Sequence, residues 1–174
     1  MSRIIRDVPL ACGASDELRT WTHAIKAVLA TIAQASDLTI FPNDRKGEFL
    51  VDFLLHKEGY GAVLAVESEW GTHISEIIED FEKLIHVKAP YKLMIFNSAR
   101  SDAKTEVIKA AFGSEMRKYS QYCSGEQYIF VEFKSGDSAL SYTTIFECSR
   151  EISSPVAFTN LIERTAFSRT AAAL

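Results

Sequence analysis

Three acidic residues stand out because of their positions in two consecutive apolar segments. Asp52 lies inside "FLVDFLL", where a lone charge is expensive to bury without a partner. Glu67 and Glu69 lie near the end of the next apolar run, "AVLAVESEW". Carboxylates that crowd together repel one another and raise one another's pKa values, and a divalent cation relieves that conflict. Hard oxygen ligands of this kind suit Mg²⁺ or Mn²⁺.

Two strands must lie side by side for these three carboxylates to meet. The pattern predicts a strand over residues 48–56, a turn at "KEGYG" and a returning strand over 62–70. Side chains alternate along a strand, so Glu67 and Glu69 share one face. If the strands are neighbours, Asp52 lies beside them. We therefore expect carboxylate oxygens of Asp52 and Glu67 close enough to share one metal, with Glu69 on the same side.

Each of these features also has an ordinary structural interpretation. Paired glutamates at the end of a strand are most often a solvated face, and an aspartate inside a strand is often an edge or bulge residue. Either feature alone favours that ordinary interpretation. Both features on consecutive strands favour a metal site.

The residues around these acids resemble the PD-(D/E)xK nuclease superfamily, which has the restriction-endonuclease-like fold. The resemblance rests on "VD" in the first strand, "VESEW" at the end of the next, "DFEKL" on a helix and "APYKLMIF" in the strand after it. It covers roughly residues 15–135. It implies that Asp52 and Glu67 bind Mg²⁺ or Mn²⁺, and that the chain hydrolyses phosphodiester bonds with water as nucleophile and DNA as the expected substrate.

The sequence departs from the family motif at two positions. Val51 replaces the proline, which is a common and harmless departure. Glu69 occupies the position of the lysine that helps to position or activate the attacking water, and a glutamate does not stabilise developing phosphate charge as a cation does. The resemblance to restriction endonucleases with glutamate there implies a third metal ligand or a general base. Lys83, on the following helix, is a candidate migrated lysine, and Lys92 is another source of a cation; a solvated helix lysine is the ordinary interpretation of Lys83.

The remaining pattern predicts an α/β fold with a mixed central sheet flanked by helices on both faces. Helices and strands follow in the order helix, strand, strand, helix, strand, helix, strand, strand, helix. The first helix is capped by Ser15 or Asp16 and ends near Ala35. The connection from 62–70 through a helix to 92–97 predicts a right-handed parallel crossover. The resemblance implies that this sheet is a restriction-endonuclease-like core.

We expect one domain over residues 1–174, with a core at about 15–150. Residues 1–14 read as an N-terminal arm. "QYIFVEFK" and "YTTIFECS" predict a late hairpin of strands, and a C-terminal helix is predicted over about 155–168, followed by a short tail.

The composition limits the class of protein. A hydrophobic content of 47% and a charged content of 24% are typical of soluble globular proteins, and no apolar stretch approaches the roughly 18 residues of a membrane span. We expect no signal peptide and no membrane partner. Cys12, Cys123 and Cys148 have no short metal-ligand spacing, which favours reduced thiols in a cytoplasmic protein. The net charge of -4 gives no general nucleic-acid footprint but allows a local basic groove.

Two other functions stay open at this stage. A catalytically inactive binding module of the same fold is favoured by Glu69 and by the acidic net charge. An interaction or immunity-type protein without a nucleic-acid role predicts a cleft that side chains fill. An active site instead predicts an open cleft with basic groups near the acids. The expected partner is nucleic acid, and DNA is the favoured kind. The sequence leaves the oligomeric state open, and a homodimer is one alternative.

Overall fold

The structure is a computed structural model that describes residues 18–43, 50–98, 101–119, 126–135, 140–149 and 159–168. Three helices and seven strands lie in this described part of the chain. Their order is α1 (Leu18–Ala35), β1 (Thr39–Phe41), β2 (Phe53–Lys57), β3 (Gly61–Glu69), α2 (Ile74–His86), β4 (Tyr91–Asn97), α3 (Thr105–Lys118), β5 (Gln127–Ser135), β6 (Leu140–Ser149) and β7 (Thr159–Ser168).

The strands form one mixed sheet in which spatial order follows chain order from β1 to β7. The pairs β1–β2 and β2–β3 are antiparallel, β3–β4 and β4–β5 are parallel, and β5–β6 and β6–β7 are antiparallel. The predicted parallel connection through a helix is confirmed, because α2 lies between the parallel strands β3 and β4. The predicted late hairpin is confirmed as the antiparallel pair β5–β6.

Helix α1 covers one face of this sheet. Its apolar residues recur every three or four positions, which places them on one stripe of the helix. Ile25 and Leu29 are fully buried and belong to a core that also contains Phe53, Val66 and Val131 from the strands. The helix ends at Ala35 as predicted, whereas its predicted cap lies outside the described residues.

Helices α2 and α3 cover the opposite face of the sheet. The strand side chains on that face alternate along the chain with those of the first core. This second core joins α2 and α3 to five strands, β1 to β5, and its members include Phe81, Ile85, Phe112, Phe96 and Phe130. The α/β class and the helices on both faces of the sheet are therefore confirmed. In the described part of the chain, the helices lack the combination of length and apolar character that crossing a bilayer requires.

The C-terminal segment corrects one prediction, because Thr159–Ser168 is strand β7 and not a helix. A short apolar run does not distinguish a helix from a strand by periodicity alone. Antiparallel pairing with β6 gives the backbone groups along that edge their partners, and it extends the sheet beyond the predicted core. Residues 155–158 and the predicted arm, 1–14, lie outside the described residues.

A second correction concerns the strand that carries Asp52. The predicted strand over 48–56 begins only at Phe53, and residues 50–52 form a bend before it. Asp52 therefore stands at the entrance to β2 rather than inside the strand. This position explains how a charged residue is accommodated in an apolar segment, since Asp52 is only partly buried.

Candidate active site

Asp52 and Glu67 lie next to each other across the β2–β3 pair. In this antiparallel register Phe53 pairs with Val66, and continuing it by one residue sets Asp52 opposite Glu67. The backbone N–H of Asp52 donates to Oε2 of Glu67 at 3.4 Å. The hairpin register and this hydrogen bond thus bring the two predicted acids together.

The carboxylate of Asp52 is held in place by one neighbouring residue. Its Oδ2 accepts a hydrogen bond from the backbone N–H of Ser68 at 2.9 Å and another from the Ser68 hydroxyl at 2.7 Å. Ser68 is itself buried. Two donors from one residue leave this carboxylate oxygen little freedom to turn.

Glu67 is a buried carboxylate with an altered acidity. It alternates with Ala65 on the face of β3 that α2 covers, and only 2% of it is exposed. Burial raises the pKa of Glu67 to about 9, with further contributions from the charges of Asp52 and Asp80, whereas Lys83 acts in the opposite direction. Without a cation, Glu67 is therefore protonated at neutral pH.

Glu69 is directed to the turn after β3. Its Oε1 accepts a hydrogen bond from the backbone N–H of Gly71, and the carboxylate also interacts with the backbone N–H of Trp70. A side-chain hydrogen bond joins Glu69 to Asp80; burial and this bond raise the pKa of Glu69. Glu69 thus faces α2, as Glu67 does, but its carboxylate is engaged by the turn and by Asp80.

A side chain at Gly71 would displace the two carboxylates that surround the turn. A methyl group there would lie 2.9 Å from Oε1 of Glu69 and would collide with the carboxylate of Glu76. That second carboxylate accepts the backbone N–H of His73 at 3.1 Å and closes the first turn of α2. Asp102 adds another cap, since its Oδ1 accepts the backbone N–H of Ile74 at 2.9 Å.

Asp80, on α2, is a site residue that the sequence analysis missed. It bonds to Glu69, its charge acts on Glu67, and its Oδ1 lies 2.6 Å from Nζ of Lys83. The signal was available in "DFEKL", where Asp80 precedes Lys83 by one helical turn. The sequence does not show that α2 lies over the end of β3, and this packing is what brings Asp80 to the two glutamates.

The two lysines considered as substitutes for the motif lysine have different positions. Lys83 lines the same cleft as Asp52 and Glu67. Lys92 is fully buried, and its ammonium lies 2.8 Å from Glu126 and 3.2 Å from the hydroxyl of Tyr128. Lys92 therefore belongs to a buried ion pair, whereas Lys83 is the lysine at the site.

An open cleft of about 430 Å³ lies beside the two adjacent acids. Its volume is that of a small-molecule pocket, and side chains do not fill it. Helix α1 forms one wall and Lys83 of α2 contributes to another. The lining residues are Thr22, His23, Lys26, Pro42, Leu50, Val51, Asp52, Phe53, Glu67 and Lys83.

The donor set fits a hard divalent cation in part. Asp52 and Glu67 provide carboxylate oxygens, and a cation would replace the proton that burial favours on Glu67. Within the described ranges, no three His, Cys, Asp or Glu side chains form a group that could hold a metal ion. The predicted third ligand, Glu69, is instead bonded to Gly71 and Asp80.

No protein-family model matches this sequence, and no curated protein matches it significantly. The resemblance to PD-(D/E)xK nucleases therefore stays a prediction. The structure adds the positions of Asp52, Glu67 and Lys83, which line the same cleft.

Proposed function

We propose that this chain is a divalent-metal-dependent nuclease of the PD-(D/E)xK type, which hydrolyses phosphodiester bonds in nucleic acid, with DNA as the expected substrate. The observation that carries the proposal is the adjacency of Asp52 and Glu67 at an open cleft that Lys83 also lines. The element order supports it, because a hairpin carrying both acids leads through α2 into parallel strands, as in a restriction-endonuclease-like core.

In this proposal Asp52 and Glu67 would hold Mg²⁺ or Mn²⁺. The bound cation would supply Lewis-acid stabilisation of phosphate charge and a more acidic water molecule. Ser68 fixes the direction of the Asp52 carboxylate through its two hydrogen bonds. The β3 backbone holds Glu67 at the wall of the cleft, and water is the nucleophile.

Lys83 is the residue proposed to replace the lysine of the motif. Its ammonium is oriented by Asp80 at 2.6 Å, and its charge acts on Glu67. A cation beside the reacting phosphate stabilises the charge that develops there. A lysine on the helix after the strand thus supplies what Glu69 does not.

Cleavage assays test the proposal with purified wild-type protein on single-stranded DNA, double-stranded DNA and RNA. Mg²⁺ and Mn²⁺ are each compared with EDTA. We expect metal-dependent cleavage that disappears in Asp52→Ala and falls sharply in Lys83→Ala. Cleavage that survives Asp52→Ala would come from a contaminant or another site and would refute this assignment.

A second candidate is a binding module of the same layout without catalysis. The contacts of Glu69 with Gly71 and Asp80 favour it, because they direct the residue in the lysine position to the turn. Such a module would bind nucleic acid but cleave none of the three substrates with either metal. The wild-type protein separates the two functions: metal-dependent cleavage of any of the three substrates excludes a module, whereas binding without cleavage supports it.

A further inference from the structure

We propose that Lys26 of α1 contacts a phosphate of the bound nucleic-acid strand, next to the phosphate at Asp52 and Glu67. This inference rests on the proposed function and concerns how the substrate is held. Residues of α1 line part of the cleft, and the family motif does not include them.

Three residues of α1 line the cleft as a single helical face. Thr22 and His23 precede Lys26 by four and three positions, so their side chains lie beside that of Lys26 on the helix surface. The adjacent face of α1 is fixed to the sheet through Ile25 and Leu29, which are fully buried. The wall that carries Lys26 is thus attached to the same sheet as Asp52 and Glu67.

The charge of Lys26 is available to a ligand. Lys26 is exposed, and it forms no ion pair with any residue that the structure describes. Lys83, the other lysine lining the cleft, is paired with Asp80 at 2.6 Å. A substrate phosphate can therefore pair with Lys26 without breaking an internal ion pair, whereas pairing with Lys83 would compete with Asp80.

The arrangement suits a ligand with repeated negative charges. A single anion close to Asp52 and Glu67 would be repelled unless a cation lay between them. A nucleic-acid strand carries one charge per nucleotide, so one phosphate can lie at the acids while a neighbouring one contacts Lys26. The net charge of -4 gives no general attraction for nucleic acid, which makes such a local contact more important.

Direct binding measurements test the proposal without depending on turnover. Fluorescence anisotropy would follow a labelled oligonucleotide, single- or double-stranded, titrated with protein in Ca²⁺ at several salt concentrations. Gels run after each titration would verify that the oligonucleotide is intact. The variants are Lys26→Ala, Lys26→Arg and Lys57→Ala, the last as a matched control because Lys57 is exposed at the far end of β2 and does not line the cleft.

Lys26→Ala should weaken binding about three- to tenfold and reduce the slope of log affinity against log salt by about 0.7 to 0.9, the value of one phosphate contact. Lys26→Arg should retain most of the affinity, and Lys57→Ala should match the wild type. Thermal melts should be unchanged, since the Lys26 side chain is exposed.

Three results would overturn the inference, and they separate it from the proposed function. If wild type binds and Lys26→Ala binds equally well with the same salt slope, Lys26 makes no contact while the nuclease proposal stands. Equal losses in Lys26→Ala and Lys57→Ala would indicate diffuse electrostatics instead of a contact. If wild type binds neither form of the oligonucleotide, this inference and the proposed function are both wrong.

Discussion

Ser68 donates two hydrogen bonds to the same oxygen of Asp52, one from its backbone N–H at 2.9 Å and one from its hydroxyl at 2.7 Å. The side chain that orients the first predicted acid thus lies directly beside Glu67 in the chain. This relationship links metal affinity at the cleft to a residue with no ligand role of its own.

Ser68→Ala should weaken Mg²⁺ or Mn²⁺ binding by about tenfold, because residues that orient a ligand contribute about 10- to 100-fold to affinity. The fold should lose only about 1 kcal/mol, since the backbone N–H bond to Asp52 remains. Isothermal titration and urea unfolding measure the two effects. Ser68→Thr keeps a hydroxyl and serves as the control; equal metal affinity in Ser68→Ala and wild type would contradict the orienting role.

Asp52→Asn and Asp52→Ala should differ in their effects on stability in EDTA near pH 9, where Glu67 ionises. Asparagine keeps an oxygen that accepts the Ser68 donors and removes the negative charge that opposes ionisation of Glu67, so this variant should be as stable as wild type or more so. Alanine leaves the Ser68 hydroxyl without this acceptor and should cost about 1–3 kcal/mol. Thermal melts of the three proteins give the comparison, and equal losses in both variants would show that the charge of Asp52 itself is structural.

Glu67 should make the metal-free protein less stable as pH rises. Its pKa in the folded state is about 9, above its ordinary value of 4.5, so folding favours the protonated form. The stabilisation is fully present below about pH 4.5 and is lost as pH rises towards 9, with a slope of at most about 1.4 kcal/mol per pH unit. Urea unfolding in EDTA across this range measures it.

Glu67→Gln is the matched control for this pH dependence. It keeps the size of the side chain but cannot titrate. Wild type should therefore lose stability relative to the variant as pH rises through the same range. Metal binding to wild type should release a proton at neutral pH, which calorimetry in two buffers of different ionisation enthalpy detects. Parallel pH profiles of wild type and Glu67→Gln would rule out the raised pKa of Glu67.

Lys92→Met should destabilise the fold without altering metal affinity in the molecules that remain folded. The change leaves Glu126 buried without its cation, and breaking a buried ion pair in this way costs about 3–5 kcal/mol. Adding Glu126→Gln removes the unpaired charge while keeping an acceptor for Tyr128, so the double variant should recover part of the loss. Loss of metal binding in a folded Lys92→Met protein would instead assign Lys92 to the site.

The sequence by itself predicted most of the helices and strands and the adjacency of Asp52 and Glu67. Apolar residues at helical spacing predicted α1 and its end at Ala35, because one stripe of a helix must be buried wherever it packs. A short turn between two apolar runs predicts an antiparallel hairpin, and its register, continued by one residue beyond Phe53, sets Asp52 opposite Glu67.

Only the tertiary structure decided what surrounds those acids. Asp80 and Lys26 enter the site because two helices on opposite faces of the sheet extend to the same cleft, which no local periodicity encodes. Glu69 is drawn to the turn by a donor at Gly71 and by Asp80. The last segment is strand β7 because it pairs with the edge of β6, and local periodicity does not show which edge is available for pairing. Periodicity reports which face of an element is apolar, whereas packing decides which elements face one another.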